Sequence, residues 1–234
     1  MPGYKSWKIK VVDVMKVAVL FSGGKDSILA LQDCLKKGFE VKYLVSFFSE
    51  KPEPYMYNYP NVSLAIMQSL SLGFKLVTKK LEPGKEQEGM KSALESISKD
   101  IEGLVVGVQL SKGQKGPLSQ ICKPFGIKLL TPLAAKEQAS LWKKALDSGF
   151  EIVIVYSNGM DRKWLGRIVG RKDLKGISGK SAFRTLVING PIFRSRMEIT
   201  DSGKEWKGKE GKFLIKDAKL KGAFSPGSGQ AEAG

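Results

Sequence analysis

No histidine occurs in this 234-residue chain. That removes the usual general base at neutral pH and the commonest metal ligand. The two cysteines, Cys34 and Cys122, are too few for a disulfide framework, and without histidine they cannot complete a four-ligand zinc site. Catalysis must therefore run on Asp, Glu, Lys, Ser, Tyr or Cys, or on substrate positioning with a bound Mg²⁺. No apolar stretch approaches the roughly 20 residues that span a bilayer. Residues 1–10 lack the apolar segment and small-residue cleavage site of a secretory signal. A cytoplasmic protein with no membrane partner is expected. Two nucleotide motifs are also missing. The pattern G-x-x-x-x-G-K followed by Ser or Thr does not occur, because Gly176 and Gly179 enclose two residues where four are needed. Nor does G-x-G-x-x-G follow the first apolar run.

Acidic residues are outnumbered. Lys and Arg total 39 against 23 Asp and Glu, a net charge of +16. The excess is uneven: residues 160–196 hold ten basic side chains and only two acids, Asp161 and Asp173. Two readings stand, a surface for RNA or another anionic partner and a lysine-rich solvated surface. A protein that handles ATP also needs positive charge near the phosphates. Hydrophobic residues make up 42%, enough for one large core or two small ones.

Residues 16–21 form a β-branched apolar run, the signature of a buried parallel strand. A glycine-containing turn follows, then helical spacing over 28–37 and a second strand over 40–48, the size of one βαβ unit. A Pro/Tyr-rich loop at 50–60 precedes a helix over 62–72. Strands are expected at 74–78, 103–109 and 128–131, with helices at 87–98 and 118–124. This alternation predicts a doubly wound, mostly parallel α/β sheet. A helix at 136–148, a strand at 151–156, a short helix at 162–168 and extended segments at 183–188, 193–199 and 212–216 predict a smaller α+β domain. The expected domains are residues 1–132 and 133–224, with a disordered tail at 225–234.

The run Ser22-Gly23-Gly24-Lys25-Asp26-Ser27 sits between the first strand and its helix. Glycines let the backbone approach a ligand, and consecutive N–H groups beside a helix N-terminus make an anion cradle. Ser22 and Ser27 add hydroxyls, and Lys25 is expected to neutralise phosphate charge. Asp26 would repel phosphate unless a cation intervened, so it is assigned to Mg²⁺. Each member of the run suits a magnesium-bound polyphosphate, and ATP is the expected cofactor.

This run resembles the PP-loop of the N-type ATP pyrophosphatases. The resemblance implies an adenine nucleotide alpha hydrolase-like (HUP) fold and cleavage of ATP at the α-phosphate, giving an adenylated substrate and pyrophosphate. Further stretches resemble the diphthine–ammonia ligase family: Tyr55-Met56-Tyr57 with Asn61, Gln68 and Leu72-Gly73; Glu102-Gly103, Gly107, Ser111 and Gln114; Gly159-Met160-Asp161 with Trp164-Leu165-Gly166-Arg167; and Thr185-Leu186-Val187 through Gly190-Pro191 and Phe193. The similarity runs over most of residues 16–220. It implies amidation of diphthine on elongation factor 2 with ammonium and ATP. Asp161 and Arg167 would then orient substrate or close over phosphate, or else form a cap and an inter-domain ion pair. Ser111 and Gln114 would line the nucleotide cleft, with polar loop residues as the other reading. Adenine is expected against residues 45–47, including Ser46 and Phe47.

The chain departs from the family at defined places. Asn58 stands where the family has His, and Gly113 and Lys115 stand where Tyr and Arg are expected. The family's acidic positions fall on Gly179, Ala182 and Arg184, although a trimethylammonium group and ammonium call for acids. A divergent relative with another acceptor follows as an alternative, beside an RNA-modifying PP-loop enzyme and a non-catalytic ATP-binding paralogue. Tyr55, Tyr57 and Tyr59 read as an aromatic wall or a surface loop. Trp164, Leu165 and Cys34 read as core. Cys122 reads as structural, or as a thiol whose pKa Lys112, Lys115 and Lys123 lower. An oligomer is compatible with all of this.

Overall fold

A computed structural model describes residues 14–49, 64–107, 112–134, 136–159, 162–177 and 183–222. Tyr55, Tyr57, Asn58, Tyr59, Ser111, Met160, Asp161, Gly179, Ala182 and the tail at 225–234 lie outside the described residues, and the side chains of Lys112 and Gln114 lie outside them too.

Five parallel strands make the first sheet: β1 (Lys16–Leu20), β2 (Glu40–Ser49), β3 (Lys75–Leu81), β4 (Gly103–Val106) and β5 (Lys128–Leu130), in the order β3-β2-β1-β4-β5. The apolar runs KVAVL and GLVV occupy its centre, where both faces are covered. Right-handed crossovers place α1 (Lys25–Lys36) and α2 (Leu64–Leu72) on one face, and α3 (Glu86–Ile97) and α4 (Lys112–Cys122) on the other. The buried clusters follow this division. Met90, Leu94, Leu118 and Ile121 pack with Ala18, Val45 and Val106, whereas Ile28, Leu31, Ala65 and Leu72 pack with Val17 and Val19.

The second cluster does not stop at the helices. It continues through α5 (Gln138–Asp147) into β6 (Glu151–Asn158) and β7 (Phe183–Asn189), so that Trp142, Ile152, Ile154 and Val187 share a core with α1. With β8 (Arg196–Lys207) and β9 (Glu210–Lys221), these strands form an antiparallel sheet ordered β7-β6-β9-β8. Eight residues of α1 are buried, as a helix enclosed between two layers requires. Lys144 on α5 is ion-paired with Asp33 on α1 at 2.5 Å.

Several elements differ from the sequence reading. Helix α1 begins at Lys25, three residues early, so half of the expected turn is its first helical turn. Helix α4 starts at Lys112 in place of the expected loop and contains Pro117, whose fixed φ is helical. Only Arg162–Trp164 of the 162–168 segment is helical, as a 3-10 turn; Ile168 then bridges to Val153. A 3-10 turn at Arg171–Asp173 and α6 (Leu174–Ile177) were not foreseen. Strand β8 begins at Arg196, and the β8–β9 hairpin extends twelve residues on each side.

Both cysteines are core residues. Burial pushes the Cys34 and Cys122 thiols up from 9.0 to about 11. At Cys122 burial is the only cause, so the nearby lysines do not lower its pKa as one reading had it. In the unfolded chain these thiols ionise near 9.0, while in the folded chain they stay protonated to about 11. Stability from both is therefore full below pH 9 and lost as pH rises towards 11. Urea titrations over this window should show a smaller loss of unfolding free energy in the Cys34→Ala/Cys122→Ala double variant than in the parent. Equal losses would contradict it.

Candidate functional site

In the order β3-β2-β1-β4-β5 the chain turns back between β1 and β4, the switch point at whose carboxyl ends open parallel sheets bind their ligands. Residues 22–27 leave β1 at this point and Gly107 leaves β4 beside them. A Cβ on Gly107 would stand 2.9 Å from Ser27 Cα and overlap the Asp26 carbonyl. Only a glycine lets the first turn of α1 sit against the end of β4. On the β2 side, Phe21 N–H donates to the Val45 carbonyl at 2.7 Å, and the buried Ser46 hydroxyl donates to the Phe21 carbonyl. Ser46 thus fixes the approach to the loop through its side chain. Phe47 beside it is buried.

Within the loop, Gly23 takes a φ of 72° and Gly24 stands at the N-cap of α1 with no side-chain cap. The Ser27 hydroxyl donates to the Gly24 carbonyl at 2.9 Å, and Ser22 Oγ lies 3.4 Å from Ser27 Oγ. Twelve residues of aligned dipoles therefore end in a turn of glycine backbone and hydroxyls, the arrangement that favours an anion.

Lys25 departs from its expected setting. Its side chain is buried, bonded to Asp26 and 3.3 Å from Gln138 Oε1, with its ammonium 5.3 Å from the Trp142 ring centroid. Burial holds its pKa below the ordinary value, and the Asp26 carboxylate opposes that shift. The ammonium is engaged with Asp26 and α5, so it reaches the loop's electrostatics through Asp26. Asp26 itself keeps a quarter of its side chain exposed (26%). No group of three or more His, Cys, Asp or Glu among the described residues could hold a metal ion. A cation at Asp26 would need further ligands from a bound phosphate, the usual way Mg²⁺ is held with nucleotides.

The second sheet supplies a wall that sequence reasoning did not assign. Lys25 N–H donates to Thr185 Oγ1 of β7 at 3.0 Å, Val187 N–H donates to the Gly23 carbonyl at 3.0 Å, and the Gln68 amide of α2 donates to both the Gly23 and Val187 carbonyls. The available signal was a glutamine inside the apolar stripe Ala65, Gln68, Leu72, where burial demands partners. Arg167 stands apart. Its guanidinium pairs with buried Asp173 at 2.6 Å and lies over Trp164, and no hydrogen bond or ion pair joins it to residues 22–27.

Replacing Gly107 with alanine should displace the first turn of α1. Nucleotide affinity should fall at least about tenfold, with a stability loss of about 1–3 kcal/mol. Calorimetric titration with Mg-ATP and urea unfolding read the two effects, and unchanged affinity would contradict the packing argument.

Known proteins share this layout in sequence. The diphthamide synthase N-terminal domain family matches residues 15–129, and the diphthamide synthase C-terminal domain family matches residues 138–220. The diphthine–ammonia ligase of Schizosaccharomyces pombe is 27% identical over 220 residues, covering 80% of this chain and 36% of that protein. Those of Rattus norvegicus and Homo sapiens are 25% and 24% identical over 224 residues, covering 80% of this chain and 84% of theirs. The chain thus spans only about a third of the fission-yeast relative but most of the mammalian ones. Among solved structures, the U34-tRNA thiolase NcsA of Methanococcus maripaludis, with its 4Fe-4S cluster, is 18% identical over 57% of this chain and 56% of that one, at a TM-score of 0.37. With both domain families matched in order along its length, the chain belongs to the diphthamide synthase family.

Proposed function

We propose that the chain is an ATP-dependent carbon–nitrogen ligase that adenylates a carboxylate and amidates it, with diphthine on elongation factor 2 as acceptor and ammonium as nitrogen source. The carrying observation is the uncapped N-terminus of α1, framed by Gly23, Gly24 and Gly107 at the sheet's switch point and walled by β7. Residues 1–132 would hold ATP and residues 133–224 the acceptor. A cytoplasmic location follows from that acceptor; no helix among the described residues is long and apolar enough to cross a membrane.

In this reading an acceptor carboxylate oxygen bonds to the α-phosphorus as the α–β phosphoanhydride breaks and pyrophosphate leaves. Ammonium gives up a proton, and the resulting ammonia bonds to the acyl carbon as AMP leaves and a second proton passes to solvent. The chain supplies no nucleophile. Its loop amides and the Ser22 and Ser27 hydroxyls hold the departing pyrophosphate, so charge develops against fixed dipoles. Asp26 would hold Mg²⁺ together with the phosphates, and the metal would supply charge neutralisation there. Adenine rests against the backbone of residues 45–47. Ser111 and Gln114 would contact the nucleotide, and Asp161 would orient the acceptor. Arg167, bound to Asp173, acts by positioning the segment around Trp164.

One observation favours a second acceptor class. Arg184 lies on the face of β7 opposite Thr185, 5.5 Å over the Tyr156 ring, where the family's acids would serve a cationic group. A guanidinium there suits a neutral or anionic acceptor.

Release of AMP and pyrophosphate from labelled ATP tests both. Diphthine-bearing elongation factor 2 with ammonium should stimulate release. Asp26→Ala should lower it about a hundredfold or more while the chain stays folded at a reduced melting temperature, because buried Lys25 loses its partner; equal turnover in that variant would sink the assignment. If only Arg184→Glu responds to diphthine, the acceptor of the parent chain is of the second class.

A further inference from the structure

Gln68 has no role in the chemistry just described, yet its surroundings are unusual for a glutamine. It is fully buried in α2. Its Nε2 donates to the Gly23 carbonyl at 2.8 Å and to the Val187 carbonyl at 2.7 Å. Carbonyl oxygens only accept, so these two partners fix which end of the amide is nitrogen. The Gly23 carbonyl also accepts from Val187 N–H at 3.0 Å. Loop, α2 and β7 therefore meet at one oxygen atom.

The amide also lies against Gly23 itself. A Cβ there would stand 2.8 Å from Gln68 Cδ and 3.0 Å from Nε2, so Gly23 is needed for closeness as well as for its φ of 72°. Gln68 Oε1 is buried and has no partner among the described residues. An unpartnered buried acceptor weakens the fold, so stability alone does not account for glutamine at this position.

The geometry of one peptide plane links these facts to the loop. In a trans peptide the carbonyl of Gly23 and the N–H of Gly24 point in opposite directions. Two donors hold the Gly23 carbonyl toward α2 and β7. The Gly24 N–H is thereby turned the other way, away from the Gln68 amide and the Val187 N–H.

We propose that Gln68 is a positioning residue for phosphate recognition: by pinning the Gly23–Gly24 peptide between α2 and β7, it aims the Gly24 amide at the polyphosphate. The proposal rests on the ATP reading above. It assigns β7 a part in nucleotide binding before any acceptor arrives, because Val187 completes the same clamp.

The test compares Gln68→Met, which keeps the side-chain length but donates nothing, with Ser71→Ala. The Ser71 hydroxyl also ties α2 to the segment just before β8, donating to the Ser195 carbonyl and accepting from Ser195 N–H at 3.2 Å, away from the loop. Calorimetry on the full chain measures Mg-ATP, Mg-pyrophosphate and AMP. For Gln68→Met, affinity for ATP and pyrophosphate should fall about tenfold or more, as for loss of one hydrogen bond to a charged group. AMP should change little, so the preference for ATP over AMP narrows. Ser71→Ala should leave all three affinities within about twofold, whatever its melting temperature. Gln68→Asn, too short to reach both carbonyls, replaces the Met variant if that one does not fold. Parental affinity in the Gln68 variants, or an equal loss in Ser71→Ala, overturns the proposal while leaving the ATP reading intact. A parent chain that binds neither ATP nor pyrophosphate overturns both.

Discussion

The first turn of helix α1 has almost no freedom of position. Gly107 lies against its backbone on one side, so closely that a methyl group would overlap the Asp26 carbonyl. On the other side Gly24 faces the Thr185 carbonyl, which a Cβ would meet at 3.0 Å. The helix is wedged between the end of β4 and the middle of β7. Its end is thus fixed by packing from both sheets, and the loop that precedes it inherits that fixity. A binding loop held by rigid elements keeps its donors in place without help from the ligand.

The same wedge explains the arrangement of charge. Lys25, the first residue of α1, falls on the side facing α5 and is buried. A buried ammonium needs a partner, and Asp26 is that partner, with Gln138 and the Trp142 ring completing its surroundings. The loop mouth therefore takes its positive character from helix amides, and Asp26 is a carboxylate already tied on one oxygen. This suits a site that receives a cation with its ligand, since a free lysine at the mouth would compete with the metal for the same phosphates.

Much of the first sheet was legible from local pattern. KVAVL and GLVV read as buried parallel strands because both faces are covered, and the glycine turn between the first strand and its helix was visible in Ser22 to Ser27. What stayed hidden was non-local. Gln68 and Thr185 acquire meaning only when α2 and β7 close on Gly23, contacts that span 45 and about 160 residues of chain. The side chain of Lys25 could not be oriented without knowing that α5 lies beside it. The far half of the β8–β9 hairpin, from Asp201 to Lys207, is mostly polar and largely exposed apart from Trp206, so no burial period marks it; its ladder with β9 and the packing of Trp206 hold it extended.

Sharing one core between the two sheets has a consequence for energetics. Phosphate bound at the N-terminus of α1 adds contacts to a helix enclosed by both layers, so the binding free energy is felt by β6 and β7 as well as by β1 and β4. The link is short: α1 touches the loop through its own first turn and touches β7 through Thr185. A loose tether between separate domains would confine such stabilisation to one of them. Here Thr185 and Arg184 are adjacent on β7, Arg184 lying over the Tyr156 ring, so the contact with residues 22–27 and the Arg184 face of β7 are one residue of backbone apart. A displacement of the loop would strain its hydrogen bonds to that strand, and under the proposed function this contact would be the physical route from nucleotide binding to the place where an acceptor is met.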